Sequence, residues 1–363
     1  MISVSITRLQ ARGQSLWIDN ISRSMLDSGT LERYIGEFGI TGLTSNPTIF
    51  DHALHASNVY DDAVRKMTWV SSSSEALFFT LALQDLFRAA RLFQPIHAST
   101  HGRDGWVSLE VSPLLANDTA ATVDQARKLH AQAGLSNLLV KIPGTPAGIS
   151  AITQSIASGV SVNVTLLFSP GQYRAAASAY MAGLESRLEQ GKDLRIGSVA
   201  SIFISRWDQA VKDQVPPHLH NKVGIAVAHS CYNAYRDILQ SDRWLRLARA
   251  GAQPQKLLWA STGSKDPQAS EVLYVDALIA PDTINTVPEK TLIAFSEHGR
   301  GEQTMSEHTS DMGTVLQELS DLGLHISTLG NQLQRDGAKA FVDSWEDLMQ
   351  TIAAKKPTSE LRP

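Results

Sequence analysis

One cysteine in 363 residues is the chain's clearest scarcity. Cys231 by itself excludes an intrachain disulfide and a cysteine-based metal site. It lies in Ala226-Val227-Ala228-His229-Ser230-Cys231-Tyr232, a helix-like run that suits a small buried thiol. Histidine is more abundant, but His97, His101 and His229 are scattered without metal-ligand spacing, so no metal is expected. No polybasic patch occurs, and a net charge of -4 argues against bulk nucleic-acid or membrane-surface affinity. No apolar run is long enough to span a bilayer, and no basic segment leads into an apolar core near Met1. A cytoplasmic location is therefore expected. No glycine-rich dinucleotide fingerprint follows the first strand-like run, which weakens a dinucleotide-binding fold, and no cofactor is expected. No biased linker, short-period repeat or charge block divides the chain.

What is present is ordinary for a soluble globular protein: 43% hydrophobic and 19% charged residues. The length suits two average domains or one α/β barrel with additions. Short apolar runs alternate with helical periodicity. Strands are expected at Ser15–Asn20, Ile40–Pro47, Trp106–Val111, Leu138–Ile142, Val160–Phe168, Val199–Arg206, Lys256–Thr262 and Asp276–Ile279, the last leading into Thr283–Thr286. Between them, helix signals recur. Thr145-Pro146 reads as a cap followed by an N1 proline, and Ser169-Pro170-Gly171-Gln172 reads as a capping box. Ser72 with Glu75 reads the same way ahead of a long helix. Gly39, Gly134 and Gly191 stand where helices stop. Eight such units imply parallel strands joined by helical crossovers. A closed (β/α)8 barrel, an α/β TIM-barrel fold, is the preferred architecture, with a doubly wound sheet as its rival. The simplest parse is one barrel domain over residues 1–363. A purely helical extension over 306–356, with Leu333, Gly337, Phe341, Trp345, Leu348 and Ile352 at helical spacing, packs on the barrel or on a second subunit.

Barrel chemistry sits at the C-terminal ends of the strands. Those ends carry Asp19, Asn46, Glu110, Lys141, Asn163 with Thr165, Ser201 with Arg206, and Ser261 with Lys265. Each has an ordinary explanation. Asp19 and Asn46 suit helix caps, Glu110 suits an ion pair, and Lys141 alone reads as a lysine whose ammonium reaches water. Together they say more. A lysine near the end of the apolar run Leu138-Leu139-Val140-Lys141 either reaches solvent or is held neutral as an amine nucleophile. Asn163 and Thr165 lie two apart on one strand and face one side, where a buried amide and hydroxyl need partners. Ser201, Phe203 and Ser205 share a face, and the Arg206 guanidinium suits a phosphate. A lysine among carboxylates and amides, without a metal cluster, fits Schiff-base chemistry on a carbonyl substrate.

Four segments carry a resemblance. Gly39-Ile40-Thr41-Gly42-Leu43-Thr44-Ser45-Asn46-Pro47-Thr48-Ile49-Phe50 is similar to the transaldolase signature. Val140-Lys141-Ile142-Pro143-Gly144-Thr145 resembles that family's active-site lysine segment. Ser108-Leu109-Glu110-Val111 and Val162-Asn163-Val164-Thr165-Leu166-Leu167-Phe168-Ser169 match in the same order. The likeness runs from Ser15 to about Thr291, toward the longer bacterial subgroup with Trp-Ile-Asp-Asn at the first strand.

The resemblance implies a (β/α)8 barrel that transfers a dihydroxyacetone unit between phosphorylated sugars in the non-oxidative pentose phosphate pathway. It implies Lys141 as the Schiff-base lysine and Glu110 as a carboxylate acting through water held with Thr165. The same resemblance implies that Asp19 exchanges a proton with the sugar hydroxyl and that Asn46 and Asn163 hold the dihydroxyacetone hydroxyls. It implies that Ser201 and Arg206 contact a substrate hydroxyl and the phosphate, with Phe203 at the aromatic position of that strand among the substrate-binding residues. The shorter transaldolases place a second phosphate arginine after Ala-Ser on the seventh strand. Here Ala260-Ser261-Thr262-Gly263-Ser264-Lys265 has none, leaving Lys265 or the Ser264 hydroxyl as the substitute, with Ser261 and Lys265 as the expected substrate contacts on this strand. Two rivals stand beside transfer. One is a Schiff-base fructose-6-phosphate aldolase, which the resemblance gives Gln and Tyr in place of Glu110 and Phe203. The other is a non-catalytic sugar-phosphate-binding barrel. Phosphorylated sugars are the expected partners, with no nucleic acid and no membrane, and the assembly is a monomer or homodimer.

Overall fold

The computed structural model describes residues 2–45, 47–56, 58–67, 73–302, 304–305 and 309–355. Eight parallel strands close into a barrel in sequence order. They are β1 (Gln14–Ile18), β2 (Gly42–Leu43), β3 (Val107–Glu110), β4 (Leu138–Pro143), β5 (Val162–Leu167), β6 (Ser198–Phe203), β7 (Lys256–Ala260) and β8 (Thr283–Val287). This is the expected (β/α)8 architecture. Nearly every strand residue is buried, because helices cover the outer face while side chains fill the interior. Among the described residues no helix is long and apolar enough to cross a membrane.

The local signals explain the crossovers. Thr145 Oγ1 accepts the Gly148 N–H at 3.0 Å, and Pro146 opens helix Pro146–Ser158. Ser169 Oγ accepts the Gln172 N–H at 3.2 Å, and Gln172 Oε1 reaches back to the Phe168 N–H at 2.7 Å. Helix Thr30–Phe38 ends at Gly39 with φ 60°, and helix Thr119–Ala133 ends at Gly134 with φ 58°, a left-handed geometry that glycine adopts without a Cβ clash. Ser72 lies outside the described residues. The cap of helix Ser74–Ser99 is Ser73, whose hydroxyl accepts the Ala76 N–H.

Two expected placements are corrected. Asp276–Ile279 is not a strand. Leu273–Ala277 is helical, and the Asp276 carboxylate accepts the backbone N–H groups of Arg300 and Gly301. The Leu278 carbonyl accepts from the Gln14 amide and the Trp259 indole instead of joining a ladder. The chain turns through Asp282 at φ 56° before pairing as β8. Second, Arg206 is not on β6. That strand stops at Phe203, and Arg206 sits in the first turn of helix Ser205–Val211.

Strand register aligns the central residues. Glu110 pairs with Lys141 across β3 and β4, Lys141 with Asn163 across β4 and β5, and Pro143 with Thr165. The β5–β6 register then shifts between Val164 and Leu167, around Leu166 at φ 57°. The C-terminal helix Ile326–Lys355 lies against this rim. Gln334 Nε2 donates to the carbonyls of Gly144 and Leu166, both at 2.9 Å. Leu333, Gly337, Phe341, Trp345, Leu348 and Ile352 are all buried, the stripe expected from their spacing. Trp345 packs against Phe78 and Phe79, so its ring is covered by this same chain.

Candidate active site

A cavity of about 270 Å³ opens at the C-terminal end of the barrel. Asp19, Lys141, Thr165, Ser201, Phe203, Arg206, Ser261 and Lys265 line it, contributed by five different strands or the segments that follow them. A larger cavity of about 600 Å³ lies between outer helices around His220, His229 and Met312, and it contains none of the strand-end residues. Among the described residues, the smaller one is where a buried amine, Lys141, meets the Asp19 carboxylate on one cavity wall.

Lys141 is 5% exposed. Its Nζ donates to the Ser45 carbonyl at 2.7 Å and faces Glu110 Oε2 at 3.4 Å. The β4 register holds it inside the barrel, so its head group does not run along the surface to bulk water. That removes the reading of a solvent-seeking lysine. Glu110, 6% exposed, stands behind it rather than on the cavity wall. Burial raises the Glu110 pKa, Lys141 opposes that rise, and the charge of Asp19 adds to it.

Asp19 follows β1. It does not cap the next helix, because Ser22 caps Arg23–Asp27. Instead Asp19 Oδ1 accepts the Thr44 hydroxyl at 2.7 Å, and Thr44 in turn bonds Thr286 at 2.7 Å. Burial raises the Asp19 pKa, against the lowering influence of Lys141, the Thr44 bond and Lys265. Asn46 lies outside the described residues.

Asn163 is fully buried beside Lys141. It donates to Ser108 Oγ at 3.2 Å and accepts the Ser201 hydroxyl at 2.7 Å, so Ser201 orients the amide. Thr165 Oγ1 is buried and has no hydrogen-bond partner within the described protein. A buried hydroxyl left so costs about 1–3 kcal/mol, which favours a polar guest in the cavity.

Arg206 lies over the Phe203 ring, 5.1 Å from its centroid, and Phe203 packs on Phe168. Burial lowers the Arg206 pKa, and no carboxylate pairs with the guanidinium among the described residues. An unpaired, partly buried cation facing a cavity is suited to an anionic substrate group. Ser261, at φ 56°, shares a hydrogen bond with Ser205 at 2.9 Å. Lys265 is exposed at the rim.

Sequence reasoning missed Thr44 and Thr286 as the support of Asp19, and Phe341 as a cavity wall. Thr44 lies inside the Gly39–Phe50 segment, its only local signal. Phe341 reads as core from its periodicity, and local pattern does not distinguish a core ring from one facing a pocket.

The sequence profile described as transaldolase/fructose-6-phosphate aldolase matches residues 16–352. The chain belongs to the transaldolase/fructose-6-phosphate aldolase family. It is 42% identical to a transaldolase of Saccharopolyspora erythraea over 356 residues, covering 96% of each chain. It is 40% identical to a transaldolase of Neisseria meningitidis serogroup C, covering 96% of this chain and 99% of that one. A transaldolase of Renibacterium salmoninarum is 39% identical, covering 97% of this chain and 96% of its own. The chain is an enzyme of the transaldolase type, as its motifs led one to expect.

The two raised carboxyl values fix a sign for pH dependence. A carboxyl whose folded pKa exceeds its unfolded value binds its proton more tightly in the native state. Its contribution to stability is full at low pH and is lost as pH rises from the unfolded pKa through the folded one. Glu110→Gln is therefore expected to melt at or above the natural chain at about pH 8, with the gap closing at about pH 4. Thermal melts at both values check this, and a variant markedly less stable at the higher pH contradicts it.

Proposed function

We propose that the cavity transfers a dihydroxyacetone unit from fructose 6-phosphate or sedoheptulose 7-phosphate to an aldose phosphate, as in the non-oxidative pentose phosphate pathway. The observation that carries the proposal is the buried Lys141 amine, 3.4 Å from Glu110, in a cavity shared with Asp19. The Lys141 amine adds to the donor ketone and water is lost, forming an iminium. Asp19 takes the proton of the hydroxyl on the carbon to be released. The carbon–carbon bond breaks, the aldehyde leaves, and its electron pair enters the iminium to form an enamine. The acceptor aldehyde adds by the reverse steps, and Asp19 returns the proton. Glu110 and Thr165 serve the protons exchanged when the iminium forms and hydrolyses. Asn46, together with Asn163 set by Ser201, holds the dihydroxyacetone hydroxyls. Arg206 holds the phosphate over Phe203, with Ser261 and Lys265 at the same end. The described residues form one catalytic barrel, with the helices beyond residue 305 as its extension.

Borohydride reduction in the presence of fructose 6-phosphate, followed by peptide mapping, tests the central step. A reduced adduct on Lys141 is expected. Labelling at another lysine, or none in active protein, overturns the proposal. Fructose-6-phosphate aldolase chemistry is the second reading, since it shares the amine. Phe203 favours transfer, because an apolar ring supplies no hydroxyl beside the iminium. Turnover of fructose 6-phosphate is thus expected to depend on added erythrose 4-phosphate. A rate independent of acceptor would mean release to water.

A further inference from the structure

Gly337 sits well inside the C-terminal helix, where glycine is a poor helix former and the backbone has ordinary helical geometry. Conformational freedom does not explain it, but space does. A Cβ built there meets Leu166 Cδ2 at 2.9 Å, Arg206 Nη1 at 3.0 Å and Phe168 Cζ at 3.7 Å. The guanidinium thus lies between the Phe203 ring and the bare backbone of this helix. No carboxylate among the described residues fixes it. Its position depends on shape.

The helix is itself tied to the catalytic strands. Gln334, 8% exposed, bonds the carbonyls that follow β4 and close β5. Gln334, Gly337 and Phe341 lie on one helix face, at successive spacings of three and four. Phe341 lines the cavity that Arg206 enters. One face of the last helix therefore anchors the rim, makes room for the guanidinium and walls the pocket.

We propose that Gly337 is a positioning residue for Arg206, so that affinity for the substrate phosphate is determined jointly by the barrel and the C-terminal helix. The inference rests on the reading of Arg206 as the phosphate contact. An alanine at 337 displaces the guanidinium by a few tenths of an ångström or more, and charge-assisted bonds to a phosphate are sensitive to such shifts.

The test is Gly337→Ala, assayed with fructose 6-phosphate and with inorganic phosphate as a competitive inhibitor. KM and the inhibition constant for phosphate are expected to rise about tenfold, with kcat within about twofold, the pattern of lost uniform binding. Borohydride trapping of unphosphorylated dihydroxyacetone is expected to be unchanged. In an Arg206→Ala background, Gly337→Ala is expected to add nothing, since both act through one group. If Arg206→Ala raises KM and Gly337→Ala does not, the positioning role is wrong and the phosphate reading stands. If Arg206→Ala leaves KM unchanged, the phosphate reading fails and takes this inference with it. A loss of dihydroxyacetone trapping in Gly337→Ala also overturns the inference, because the damage then reaches the lysine. Should Gly337→Ala not fold, Leu166→Ala combined with Gly337→Ala removes the 2.9 Å contact and keeps the one to Arg206. The same KM shift is expected of it.

Discussion

Lys141→Met is expected to lower kcat on the order of 10⁵-fold, the scale seen when a covalent nucleophile is removed from its site. No other described lysine lies on β4 or enters the barrel beside Glu110. Methionine keeps the aliphatic volume of the stem and removes the charge. The natural ion pair is buried, and desolvation already raises the Glu110 carboxyl toward its neutral form. Without Lys141, Glu110 protonates rather than remaining as a lone buried anion. The melting temperature is thus expected to change by no more than about 5 °C. Steady-state turnover and a thermal melt on the same preparation check this. Residual activity within about 100-fold of the natural chain would remove Lys141 from the covalent role.

Asp19→Asn is expected to lower turnover about 10³-fold while leaving formation of the Lys141 adduct intact. The amide keeps an oxygen for the Thr44 hydroxyl at the position now held at 2.7 Å, so the local bond survives. What is lost, on the proposed mechanism, is the group that accepts the hydroxyl proton during carbon–carbon cleavage. Borohydride is then expected to trap more adduct per enzyme than in the natural chain, because the iminium forms and is not consumed. A variant that loses trapping and turnover together would assign Asp19 to binding or folding. The pH profile carries a second signature. In the natural enzyme the acid limb of kcat is expected above the ordinary aspartate range, because burial raises the Asp19 pKa. Asp19→Asn is expected to remove the part of that limb due to Asp19. Stability moves the other way: burying a carboxylate opposes folding near neutrality, so the asparagine variant is expected to melt no lower than the natural chain.

Much of this site was legible because barrel geometry converts a one-dimensional rule into a location. Polar residues at strand C-termini converge on one mouth, so Asp19, Lys141, Thr165 and Ser201 were identifiable before their distances were known. Period-two alternation put Asn163 and Thr165 on one face, and both are buried. Motif order supplied the family. Leu278-Ile279-Ala280 reads as a strand because it is a buried apolar run, but the Leu278 carbonyl meets side chains of β1 and β7, a partnership no local pattern encodes. Arg206 reads as a strand end because the alternation from Val199 continues through Ser205, which in the fold already begins a helix.

The architecture, the family and the position of the lysine proposed as the reactive amine were all present in the one-dimensional pattern. These follow from periodicity, capping chemistry and short motifs, all local in the chain. Only the tertiary structure decided that Lys141 is enclosed rather than solvated. It also decided that Asp19 is held by Thr44 and not spent as a helix cap, and that Gly337 and Phe341, more than 130 residues after Arg206, complete its surroundings. The reason is physical. Burial, electrostatic environment and steric room depend on which atoms surround a group, and most of those atoms come from distant parts of the chain.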